Sequence, residues 1–208
     1  NLSPRSAIAQ NAQYWIGQIY FETRRFDDAL STFQKLIDEF PKSMVVPTTK
    51  LMIERVQQAK KNKSLFEAVK KADVEQVKLL IAEGADVNAK WGEVYAKGEE
   101  IADLHTYWHT RGTALWYAAH VGNIEVVKLL VEAGADVNPG GWPPLCAAVD
   151  EDNTAIAEYL IDHGANVNRK EWGPLQEAAT FKRHNIEMVK LLIERGADVN
   201  ATPWPALH

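Results

Sequence analysis

The stretch "LLVEAGADVN" (129–138) recurs with small changes as "LLIAEGADVN" (79–88), "YLIDHGANVN" (159–168) and "LLIERGADVN" (191–200). Apolar residues at helical spacing, Val77, Leu80 and Ile81 in one copy and Val127, Leu130 and Val131 in the next, run into Gly84, Gly134, Gly164 or Gly196. Glycine takes the left-handed conformation that closes a helix, so each copy predicts a helix followed by a turn. A short Ala-rich segment comes before each one: "LFEAVKKA" (65–72), "LWYAAHVG" (115–122), "LCAAVDED" (145–152) and "LQEAATFK" (175–182). Small side chains there let a first helix pack closely on the second. The leucine opening the first helix and the glycine closing the second are 19 residues apart in three copies and 21 in the fourth, so the unit is a helix pair. Such a pair cannot bury its apolar face alone, and repetition predicts a stack in which each unit covers its neighbour.

The composition agrees with a packed chain. The 208 residues are 46% hydrophobic and 25% charged, enough for one or two domains with a sizeable core. The formal charge of −5 is unevenly spread: residues 1–61 carry nine Lys/Arg against six Asp/Glu, and 62–208 carry fourteen against twenty-two. An acidic second part argues against a nucleic-acid surface, which needs clustered Lys and Arg. A lone cysteine, Cys146, allows no intramolecular disulfide. No apolar run is long enough to span a bilayer and no signal peptide is visible, so membrane insertion is not expected. A chain opening on Asn1 rather than Met reads as a fragment, compatible with a soluble cytoplasmic or bacterial periplasmic setting.

The repeated unit resembles the ankyrin repeat, whose pattern is T-P-L-H-x-A-A-x-x-G-x-x-E-V-V-x-L-L-L-x-x-G-A-D-V-N. "TALWYAAHVGNIEVVKLLVEAGADVN" (113–138) matches it best. The likeness places four units at 62–90, 111–138, 142–168 and 172–200, with a fifth begun at Pro205–His208. Ahead of them, "AQYWIGQIYFETRRFDDALSTFQKLIDEFPKS" (12–43) resembles a tetratricopeptide repeat, with Gly17, Tyr20, Ala29, Phe33 and Pro41 at that family's offsets. It looks like the repeats of bacterial envelope proteins associated with the Tol-Pal system. A helix over 47–61, with Pro47 in its first turn, offers Leu51, Ile53 and Val56 as a seal between the two kinds of repeat. The resemblance implies an all-α helical-repeat solenoid: a tetratricopeptide-like part with a capping helix over 1–61, and ankyrin repeats over 62–208.

Two departures from the pattern stand out. The turns between later units are shortened to "PGG" (139–141), "RKE" (169–171) and "ATP" (201–203), whereas "AKWGEVYAKGEEIADLHTYWHTR" (89–111) is a long insertion on the same edge. It carries Trp91, Tyr95, Tyr107 and Trp108. Packed on each other, these aromatics would keep the insertion ordered; exposed, they would anchor a partner, and insertions between repeats map to one face, often the binding face. Trp142, Trp172 and Trp204 each precede a helix-opening leucine by three residues, which predicts a ladder that either packs between turns or meets a partner. The opening tetrads "TALW", "PPLC", "GPLQ" and "PALH" also depart from T-P-L-H.

Catalytic signals are weak. His105 and His109 would share one helix face, yet two histidines without a third ligand make a poor metal site. Cys146 and His120, one unit apart, suggest a thiol–imidazole pair only on paper, since Cys146 sits at a core position. His163 and His184 stand beside turns as solvated side chains. No phosphate loop or nucleophile elbow is present, and the sequence predicts neither an enzyme nor a cofactor. Instead, the ankyrin likeness implies a scaffold or adaptor that binds another protein through a concave, acidic face, the turn edge and the ends of its first helices. Those ends are Lys70 and Lys71, His120 and Val121, Asp150 and Glu151, and Thr180 and Phe181, with Trp142 and Trp172 beside them. An inhibitor or immunity protein for one enzyme, and a spacer within a larger envelope-associated protein, are the rival readings.

Overall fold

The computed structural model describes residues 4–94, 112–169, 173–180 and 186–200, with the side chains at 4–6, 93, 94 and 180 left aside. The chain divides into two compact units: one of residues up to Ser64 joined by the stretch starting at Gly92, the other of Leu65–Trp91 and the repeats beyond. Among the described residues every regular element is a helix, and the only strand-like feature is a bridge between Lys90 and Thr113.

The first unit is built on α1 (Pro4–Glu22), α2 (Phe26–Glu39) and the opening part of α3 (Val46–Lys70). In α2, Phe26, Ala29, Phe33 and Leu36 recur every three or four residues and are all buried, while Asp27 and Asp28 occupy the first turn, where the helix dipole favours negative charge. The core joins Phe26, Ala29 and Phe33 to Met52 and Val56 of α3, with Tyr14, Tyr20 and Phe21 of α1 packed on it. Gly17 makes the crossing of α1 and α2 possible: a Cβ there would lie 2.5 Å from Cε1 of the buried Phe33 ring. Gly17→Ala is therefore expected to cost about 1–3 kcal/mol by overpacking, read as a lower denaturation midpoint. A hydrogen bond from buried Ser43 Oγ to Gln10 Oε1 ties the link after α2 back to α1.

The sequence predicts a helix over 47–61 and then a separate first ankyrin helix; the structure fuses them into α3. "AKKNKSLFEA" (59–68) contains neither Gly nor Pro, so nothing there stops the helix. The three apolar residues expected on this helix differ in burial. Val56 is buried and Ile53 packs on the core, but Leu51 is 56% exposed, because it lies on the far side of α3 from Met52 and Val56.

The second unit repeats a helix pair: the last turns of α3 with α4 (Val74–Ala82), α6 (Ala114–Val121) with α7 (Ile124–Glu132), α8 (Pro144–Asp150) with α9 (Thr154–Asp162), and α10 (Pro174–Thr180) with α11 (Ile186–Glu194). A short helix, α5 (Trp91–Val94), opens the insertion. Side chains cap the second helices. Asp73 accepts from Gln76 N, Asn123 from Glu125 N and Val126 N, and Asn153 from Ile156 N. Each second helix closes on its glycine; Gly134, at φ +87°, donates to Val131 O, and Ala135 N donates to Leu130 O. Buried Leu65, Leu115 and Leu145 from the first helices, and Leu80, Leu130, Leu160 and Leu192 from the second, form the core.

The recurrence of "GADVN" has a physical reason. Within a copy, the aspartate, or Asn166 in the third, accepts from the backbone N–H two residues on, as Asp136 does from Asn138 N at 2.8 Å. Between copies, the last asparagine clamps the next unit. Asn138 Nδ2 donates to Gly164 O at 2.8 Å, and its Oδ1 accepts from Asn166 N at 2.8 Å. Asn88 does the same to Gly134 O and Asp136 N, and Asn168 to Gly196 O and Asp198 N. One side-chain amide therefore satisfies a donor and an acceptor of the neighbouring turn. A charged clasp adds to this between the third and fourth units, where Arg195 reaches Glu158 at 2.8 Å and also pairs with Asp162.

Candidate protein-interaction face

The ends of the first helices carry the candidate contact residues, and the three turns among the described residues that follow them are built alike. In each, one residue has a positive φ: Ala72 at 54°, Gly122 at 79° and Asp152 at 58°. The next backbone N–H returns to the helix, from Asp73 to Ala68 O, from Asn123 to Ala118 O and from Asn153 to Ala148 O. Equivalent pairs therefore present at equivalent places: Lys70 and Lys71, His120 and Val121, Asp150 and Glu151. Only the middle turn uses glycine for the left-handed residue, so Ala72 holds a conformation that its Cβ opposes. Ala72→Gly is expected to raise stability by about 0.5–1 kcal/mol, seen as a higher melting temperature with the face unchanged.

These ends differ in chemistry along the array. Lys71 is exposed, and Lys70 sets its ammonium 5.1 Å from the Trp91 ring centre. Val121 is 44% exposed. His120 Nδ1 lies 3.0 Å from Glu151 Oε1, joining the second unit to the third, and the imidazole stacks on Trp116 with centroids 5.1 Å apart and planes 15° from parallel. Asp150 is exposed beside Glu151 and Asp152. As the sequence order implies, the turn ends run from lysines, through an imidazole and a valine, to three carboxylates, so this row is graded in charge within an array that is acidic in sum. Neither the pairing of His120 with Glu151 nor its stacking on Trp116 was foreseen, although the stacking left one signal. Trp116 precedes His120 by one helical turn, so the two rings share a face.

Of the two places that the sequence leaves open for the insertion aromatics, Trp91 takes the packed one, though not against the insertion's other aromatics. It is 5% exposed, stacked on Tyr117 at 4.9 Å and edge-on to Phe66 at 5.5 Å, so it packs in the core and is not available as a surface anchor. The cause lies at the base of the insertion: Trp91 N donates to Gly112 O, next to the Lys90–Thr113 bridge, which turns the ring inward. Trp142 is half-buried. Tyr95, Tyr107, Trp108, Trp172, Phe181 and Trp204 lie outside the described residues, as do His105, His109 and His184, and the side chain of Thr180 is not described.

Among the described residues no group of three or more His, Cys, Asp or Glu is placed to hold a metal ion, and no helix is long and apolar enough to cross a membrane. Cys146 is fully buried, and desolvation, helped by the nearby Glu177 charge, pushes its thiol up to about 12. It stays protonated at neutral pH and is a poor nucleophile. His163 is exposed, as expected, and also caps α9: its Nδ1 lies 2.8 Å from Tyr159 O, and its ring lies 4.0 Å from that of Tyr159.

Stacked helix pairs clamped turn to turn define a helical-repeat protein, and comparison with known families names the repeats. Ankyrin repeats (3 copies) match residues 94–171 and 115–203, a single ankyrin repeat matches 64–91, and a tetratricopeptide repeat matches 11–43. The longer ankyrin matches together run from 94 to 203, more than half of the chain, and the chain belongs to the ankyrin-repeat family. Comparison with curated proteins finds no match. Ankyrin and tetratricopeptide repeats are in general protein–protein interaction modules.

Proposed function

We propose that the chain is a scaffold or adaptor whose second unit docks another protein across the ends of its first helices, with the 92–110 insertion contributing aromatic contacts. The observation that carries this reading is the graded row at equivalent first-helix ends, from Lys70 and Lys71 through His120 and Val121 to Asp150 and Glu151, with His120 tied to Glu151 across two repeats. A rigid row with an apolar middle and opposite charges at its ends selects a partner bearing the reverse order, and the charges set orientation and speed of encounter. His120, held by Glu151 over Trp116, would offer the partner a fixed imidazole edge. Binding of one enzyme as its inhibitor is a special case of the same face. An envelope setting rests on the sequence likeness of 12–43 alone.

The test begins with affinity capture by the intact chain and identification of what is retained. The purified partner is then titrated against the wild type, Asp150→Lys and Val121→Asp. Each exchange is expected to weaken binding about tenfold or more, with Asp150→Lys acting mainly on the association rate at low salt. Unchanged affinity in both variants, with their helical content intact, would overturn the reading.

A further inference from the structure

The outward face of α1 is apolar. Ile8 is 69% exposed, Trp15 63% and Ile19 56%, with Ala12 exposed between them, while the opposite face, through Tyr14, Gly17 and Phe21, packs on α2 and α3. Positions 8, 12, 15 and 19 follow the alternating four- and three-residue spacing of a two-helix seam. No Asp, Glu, Lys or Arg occurs from 6 to 21, so nothing charged would be desolvated if this strip were covered.

We propose that this strip pairs antiparallel with the same strip of a second copy. The sequence is complementary to its own reversal. With a two-fold axis between positions 13 and 14, Ile8 meets Ile19, the small Ala12 meets the large Trp15, and the register brings position 5, an arginine, opposite Glu22. A parallel pair would instead set Trp15 on Trp15, alanine on alanine and Glu22 on Glu22, which wastes both volume and charge. That asymmetry, together with a strip free of charge except at its oppositely charged ends, selects a second copy of this chain as the occupant. One helix face is a small interface, so the dimer is expected to dissociate on dilution.

Sedimentation of the full chain from about 5 to about 500 μM is expected to show a monomer–dimer equilibrium, abolished by Trp15→Glu with Ile19→Glu. Both residues are exposed, so helical content should not change. Cysteine cross-linking reads the direction: an equal mixture of Ile8→Cys and Ile19→Cys chains should form a linked dimer, while Ile8→Cys alone should not, because eleven residues of helix, about 16 Å, separate position 8 from its own copy. Buried Cys146 stays silent in this assay. A chain that remains monomeric throughout, a dimer indifferent to the double exchange, or self-linking of Ile8→Cys would each overturn the proposal. So would a monomer whose α1 strip captures a different protein.

Discussion

Trp91→Ala is expected to cost about 3–5 kcal/mol, the range for truncating a buried tryptophan, because the removed ring leaves a cavity that rigid neighbours cannot fill. The ring touches Tyr117 and Phe66, which themselves meet edge-on at 5.9 Å, and Lys70 lies against it. Losing it would strip one side from three residues together. The measurement is a denaturant titration of the intact chain, and a loss below about 1 kcal/mol would show that this cluster is not structural. The result bears directly on how the insertion should be cut. Its opening stretch reaches the core at Ala89 and Trp91, so an excision meant to spare the array must keep Trp91 and rejoin near Gly112, whose carbonyl accepts from Trp91 N.

Leu130→Ala should cost about 2–5 kcal/mol for a related reason. Leu130 is fully buried in α7, and its carbonyl also accepts from Ala135 N at the helix close, so the residue serves both the core and the cap. Because each unit covers its neighbour, the damage should spread to the units on either side. Hydrogen exchange is expected to show faster opening of α6 to α9 than of α1 and α2. A loss below about 0.5 kcal/mol, or exchange unchanged in α8 and α9, would remove Leu130 from the core.

The stacked helix pairs were legible because two local signals coincide four times: helical spacing of Val127 and Leu130 and a glycine where the helix must stop. What escaped the sequence depends on register between distant residues. The fusion of α3 turned on the absence of a stop signal at 59–68, and absences are weaker evidence than presences. Leu51 was read as core because it is apolar, yet the phase of α3 is set by Met52 and Val56, and one residue of phase moves a side chain by about 100°. For Trp91 the sequence left packing and partner contact both open; the bridge that turns it inward joins residues 23 apart and leaves no local trace. The contact residues themselves were reached only through the family likeness. Their burial and the link from His120 to Glu151 came from the structure.

The asparagine clamp also bears on how such a chain can change length. Each clamp asks nothing of the neighbour's side chains, since it grips only a carbonyl and an N–H, and it points one way, from each unit to the following one. Units are therefore interchangeable parts with a universal coupling, and copying or deleting a whole one leaves every remaining joint chemically the same. The joint even ignores what lies between. Asn88 grips residues 46 and 48 positions ahead, across the insertion, with the same two bonds that Asn138 makes over 26 and 28. A gene that duplicates in frame, or gains a segment just after an asparagine, would inherit a working joint, which leaves the insertion free to diverge at a pace of its own.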